Sequence, residues 1–147
     1  MCRQGASVIQ TSVLEAIGDP ALRAYVAWVP ILAEDTSAPD ASTLALIPDE
    51  RAAYFWDAGR TLPELFAGIL GLPEGWPAWD VYLAYPAGAR WDGEPPAPAF
   101  WHHQLGDLAI APRLDGDAFA VQLRSLLADG RALSRSASRT RSPARPA

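Results

Sequence analysis

The chain has 147 residues, half of them hydrophobic, with a single cysteine and a formal net charge of −5. That length suffices for one domain with a buried core, and one cysteine excludes an internal disulfide. No apolar run reaches the ~20 residues of a membrane span, and Arg3 leads into an amphipathic pattern, not the apolar region of a signal peptide.

The charge is unevenly spread. All twelve basic residues are arginines, and the five after Gly130 meet no Asp or Glu, so the body carries −10 and the tail +5. An acidic body argues against a nucleic-acid surface, because phosphates require positive potential.

In chain order, Ala6, Ile9, Val13, Ala16 and Ile17 recur at three- and four-residue spacing and predict an amphipathic helix from Met1 to Ile17. Gly18, Asp19 and Pro20 end it. Cys2 falls in the first turn, where the amide dipoles favour a thiolate. Leu22–Val29 is nearly all apolar and is expected to be a strand covered on both faces. A helix followed by a buried strand is half of a parallel β-α-β unit, whose other half would lie before Met1. Ile31–Ser37 is a loop containing Glu34 and Asp35, and Ser37 with Pro39 opens a helix carrying Leu44, Leu46 and Ile47 up to Pro48.

Ala52–Trp56 predicts a second short strand, ended by Asp57 and Gly59. Thr61 and Glu64 form a capping box with Pro63 in the first turn. Leu62, Leu65, Phe66, Ile69 and Leu70 make the apolar face, and Gly71 caps the end. Ala78–Tyr85 reads as a strand, with Pro86-Ala87-Gly88 as a hairpin turn and Ala89–Trp91 pairing back. A Pro-rich loop spans Asp92–Pro98, and Phe100–Leu105 is a short strand or turn. Asp115 caps a last helix with Phe119, Leu123, Leu126 and Leu127 facing the core and Gly130 beyond its end. From Arg131 the Ser/Arg composition predicts a disordered tail, 131–147.

The order of elements is a helix with a cysteine at its start, a buried strand, helix, strand, helix, then Pro77 and a strand, a hairpin, a strand and a helix. It resembles the thioredoxin-like superfamily, in particular the branch with an extra helix-strand insert found in peroxiredoxins and cytochrome-maturation thioredoxins. The resemblance covers Met1–Ala128 and rests on Trp76-Pro77-Ala78, which matches the cis-proline position, and on the strand and turn Val81–Gly88. It implies an α/β fold: a three-layer α/β/α thioredoxin-like domain over residues 1–130 with a mixed sheet. It also implies thiol-disulfide exchange with a protein or small-molecule thiol or disulfide, Cys2 as the catalytic thiol, and Trp76, Pro77 and Ala78 lining the substrate groove.

One departure limits the activity. A Cys-x-x-Cys starting at Cys2 needs a second cysteine where Gly5 stands. Cys2 is therefore read as the second, resolving member, with its partner and the central strand expected upstream of Met1, an internal methionine of a longer reading frame. Exchange needs one thiol to attack and another to resolve, so dithiol activity is expected to be impaired. The bland alternative is that Cys2 is a small apolar-type residue near a terminus. The alternative function is a non-catalytic binding module with the same fold, forming a homodimer through an exposed sheet edge.

Other candidates are weaker. His102 and His103 are neighbours that point to opposite faces of a strand, which suits surface or interface packing better than a shared metal. Glu34, Asp35 and Asp57 are candidate general bases or, more simply, loop acids and caps. Asp80 interrupts an apolar strand and needs solvent or a partner. No Gly-rich phosphate loop or serine nucleophile elbow is present, and no cofactor is expected.

Overall fold

The computed structural model describes residues 3–140 as a mixed α/β fold. A first helix, α1 (Arg3–Val8), continues without a break into a π-helical segment, Ile9–Leu14. Its register is shown by the Glu15 N–H, which donates to the Gln10 carbonyl five residues back at 2.9 Å. The wider turn rotates the side chains that follow. Leu14 is thereby buried beside Val13 and Ile17, while Ala16, expected on the core face, is exposed.

The strands form two separate two-stranded sheets in place of the single mixed sheet expected. β1 (Ala24–Trp28) and β2 (Ala52–Trp56) pair in parallel, and β3 (Val81–Ala84) and β4 (Phe100–His103) pair antiparallel. Between them lie α2 (Ala41–Leu44) and α3 (Thr61–Leu70), and α4 (Gly116–Thr140) closes the described chain.

The helical run 3–14 is shared by both sheets. Ala6 and Leu14 pack with Trp28 and Ile47 beneath β1–β2. Val13 and Ile17 pack with Ala84 of β3 and with Phe119, Ala120 and Leu123 of α4. Ile9 and Leu22 touch both clusters. On the opposite face of β3–β4, Phe66 and Leu70 of α3 cover Val81, Leu83 and Trp101. This sheet is therefore sandwiched between helices. β1–β2 is not: the expected cover on both faces is corrected, since Tyr25 is 73 % and Phe55 54 % exposed. Their rings lie 6.3 Å apart on the uncovered face.

Several boundaries also differ. Asp40, not Ser37, caps α2, accepting from the Thr43 N–H at 2.8 Å. The Thr61–Glu64 capping box does not form, because Arg60 takes a left-handed conformation and Thr61 lies inside α3. The Asp57 carboxylate accepts from the Leu62 N–H instead, at 2.7 Å. Gly71 caps α3 with φ of 66°, as its position implies. Ala89–Trp91 does not pair back onto β3; Phe100–His103 does, since it offers a run of β-prone, buriable side chains after the Pro-rich loop. Asp115 caps α4 through the Ala118 N–H, but Gly130 does not end the helix. The predicted disorder is corrected for 131–140, where Ala, Leu and Arg propagate a helix already nucleated and Arg131 pairs with Asp19 at 2.5 Å. Residues 141–147 of the expected tail lie outside the described residues.

Arg51 fastens β2 to the end of the helical run. Its guanidinium donates to the carbonyls of Leu14 and Ile17, each at 2.5 Å, and to that of Asp19 at 3.3 Å. Asp49 braces it at 2.6 Å. The Arg51 hydrogen bonds hold the Asp49 carboxyl at about 2, below its ordinary 3.8. Replacing Arg51 with Met keeps the aliphatic stem but strands these carbonyls, and is expected to cost about 2–3 kcal/mol in urea denaturation at neutral pH. Because the folded-state value of Asp49 is depressed, its stabilising contribution is complete above 3.8 and lost as pH falls toward 2. The wild-type chain should lose more stability than Arg51→Met across that acid window.

Candidate functional site

Cys2 lies outside the described residues, which begin at Arg3 with the first turn of α1. That turn is tied down by Arg3, whose guanidinium donates to the Thr43 hydroxyl of α2 at 2.8 Å. Within the same turn, Gly5 faces β3. The Tyr82 hydroxyl donates to Gln104 Oε1 at 2.8 Å directly over it. A Cβ on residue 5 would sit 1.6 Å from Tyr82 Oη and 2.5 Å from Gln104 Oε1. This approach leaves no room for any side chain at position 5, cysteine included.

The Tyr82 contact also sets the direction of β3. Tyr82 lies beside Gly5, whereas Ala84 packs with Val13 and Ile17. β3 therefore runs in the same sense as the helix. β1 runs in the opposite sense: it follows the helix after the turn at Gly18 and carries Trp28 back to Ala6.

Of the three expected groove residues, Trp76 is the open one, 42 % exposed. Its indole lies 3.7 Å from where a Cβ on Gly106 would stand. Ala78 is buried with Phe66 and Leu70, and its N–H donates to the Pro63 carbonyl at 2.9 Å. Pro77 is half-buried between them. The expectation of a cis-proline is corrected: no peptide bond among the described residues is cis, that before Pro77 included. The turn is made by backbone further on, where Asp80 adopts a left-handed conformation with φ of 53° and its carbonyl accepts from the Gln104 N–H at 2.9 Å. Asp80 thus stands just before β3 and not within it, and a short polar side chain tolerates this conformation best after glycine.

The acidic candidates do not converge. Glu34 and Asp35 lie in an exposed loop, where Asp35 accepts from the Leu32 N–H at 3.0 Å, and Asp57 caps α3. Among the described residues no three His, Cys, Asp or Glu side chains cluster as metal ligands, and no helix is long and apolar enough to cross a membrane.

The histidine pair is the group that sequence reasoning misplaced. His102 and His103 point to opposite faces of β4 but are 1 % and 0 % exposed, not at a surface. His103 accepts the Leu105 N–H on Nδ1 at 3.0 Å, so its Nε2–H is the donor to the Ala111 carbonyl at 3.0 Å. Both nitrogens are used and the ring pins the loop 104–111. His102 stands under α4, its ring 5.1 Å from Phe119 and 6.2 Å from Phe100. Its Nε2 meets the Gln122 side-chain amide at 3.2 Å, while Nδ1 is buried with no partner. Burial pushes the His102 imidazolium below its ordinary range; Asp115 opposes this and His103 adds to it. The apolar neighbours Phe100 and Trp101 were the available sign that this strand is covered.

Comparison with family models, with curated proteins and with solved structures returns no match for this chain.

The tight passage at Gly5 is directly testable. Gly5→Ala is expected to lower stability by about 1–2 kcal/mol in chemical denaturation despite the better helix propensity of alanine. Adding Tyr82→Phe, which removes the nearest atom, should recover part of the loss.

Proposed function

We propose that this chain is a thioredoxin-like protein of the thiol-disulfide exchange type, with Cys2 in the resolving position and the Trp76–Pro77 loop flanking the groove for a disulfide. The observation that carries the reading is the arrangement of β1 and β3 around one helix. They run in opposite senses against α1 and the π-helical segment, each paired on one edge only. α3 covers one face of β3–β4, and the π-helical segment with α4 covers the other. A thioredoxin-like domain places its cysteine-bearing helix, its proline loop and its closing hairpin in these relations. The trans bond before Pro77 departs from that pattern.

The chemistry open to a single thiol is the first half of exchange. The Cys2 thiolate attacks one sulfur of a disulfide, a mixed disulfide forms, and the other sulfur leaves as a thiolate. The free amides of the helix that follows Cys2 in sequence favour the attacking form. With no second cysteine in this sequence, the mixed disulfide persists until an external thiol releases it.

A second reading is favoured by a different observation: the open edges of β1 and β3 and the exposed Tyr25–Phe55 pair suit a non-catalytic binding module or a homodimer joined through a sheet edge.

Incubation with oxidised glutathione followed by intact-mass measurement separates the two. Exchange predicts a mixed disulfide at Cys2 that forms at least about fivefold faster than on free cysteine, disappears in Cys2→Ser and sustains no turnover. A rate equal to that of free cysteine would remove the exchange reading. Sedimentation that shifts with concentration, and reverts in Tyr25→Lys, would then establish the binding module.

A further inference from the structure

We infer that His102 is a pH-sensitive latch between β4 and the first half of α4: neutral, it lets the helix dock; protonated, it releases it. This inference is independent of the thiol reading and rests on how the ring is enclosed. His102 is buried where α4 crosses the β3–β4 sheet, edge-on to Phe119 with the rings at 83°, and touching Phe100 of its own strand. Among the described residues its only polar partner is the Gln122 side-chain amide, less than two turns into the same helix that supplies Phe119.

The partner count decides the response to protons. A neutral imidazole has one donor and one acceptor; an imidazolium has two donors and needs two acceptors. Gln122 offers a single amide, which can turn either its oxygen or its nitrogen toward Nε2. Whichever way it faces, an imidazolium leaves Nδ1–H buried and unpaired. Relief requires water to reach the buried Nδ1, and the ring is enclosed by α4 through Phe119 and held to it through Gln122.

The surrounding charges do not cancel this. Asp115, at the start of α4, is the one acid that favours the charged ring, but its carboxylate already accepts from the Ala118 N–H at 2.9 Å. His103, next along β4, disfavours it and is committed to Leu105 and Ala111. From β3 the facing residue is Tyr82, whose hydroxyl donates to Gln104. The residues that the helical run brings to this core, Ile9, Val13 and Ile17, carry no titratable group. Burial is the largest influence and holds the folded-state value below the ordinary 6.5. The docked state therefore keeps its full advantage above 6.5 and loses it as pH falls through the lower, folded-state value.

The test is amide hydrogen exchange on the full chain between about pH 7 and about pH 5, corrected for intrinsic rates, with the His102 ring followed by NMR. Protection of amides 119–127 in α4 should fall about tenfold per unit of depression of the His102 value within that window, while β3–β4 amides change less. His102→Phe, which fills the same aromatic site without a titrating group, should remove the pH dependence; His103→Asn should not. Unchanged α4 protection, or the same loss in His102→Phe, overturns the latch. Should His102→Phe not fold, the wild-type ring decides: a midpoint below 6.5 that coincides with α4 opening supports it, and a midpoint at or above 6.5 overturns it.

Discussion

The guanidinium of Arg51 is the interaction on which the assembly hangs. A helix end leaves carbonyls that need donors, and here they belong to Leu14 and Ile17, just where the wider π-helical turns have moved those groups. Arg51 supplies the donors from the first residue before β2, so one side chain joins the end of the helical run to the edge of the parallel sheet. Asp49 keeps the charge balanced at close range. Without that tie, β1–β2 would be held to the helix only by apolar contact on one face. With it, the helix has fixed ends: Arg51 at the close, and Arg3 on Thr43 at the start.

From this anchored helix the second sheet is located by close approach, not by charge. Gly5 admits Tyr82, and Gly116 at the head of α4 comes so near to Ser12 that a Cβ there would lie 2.5 Å from the serine Cβ. Two glycines thus set how deeply β3 and α4 seat against the same helix. The phenyl rings of Phe100 and Phe119, 5.0 Å apart and inclined edge-to-face at 65°, complete the contact.

Much of this was legible where local chemistry decides. The 3.6-residue stripe of α3, the glycine cap at Gly71, the Asp115 cap and the apolar runs of β1 and β2 all express forces that act within a few residues. What was not legible depends on distant partners. No spacing rule foretells a π-helical register, so Leu14 was missed and Ala16 was counted inward. Thr61 and Glu64 fit a capping box, yet Arg60 turns left-handed, Thr61 falls inside α3, and Asp57 accepts from a different amide, that of Leu62. Of the site, the lack of a second cysteine at Gly5 was legible from the spacing, whereas the trans bond at Pro77 and the burial of both histidines depended on packing that a single strand does not reveal.

His102 and His103 show how far placement, and not residue type, determines behaviour. They are adjacent, equally buried and of one chemistry. His103 falls on the side of a turning loop, where backbone groups are plentiful, and Leu105 and Ala111 satisfy both of its nitrogens. His102 falls on the side of a helix whose own backbone groups are consumed in the i→i−4 ladder. Only side chains can answer it there, and two of its neighbours are phenylalanines. A two-stranded sheet is marginal by itself, so β3–β4 depends on α3 and α4 for cohesion. Its histidine with an unmatched nitrogen stands at one of those two supports. A proton at that point acts on the docking of the first half of α4, whereas the same proton on an exposed histidine would act on nothing.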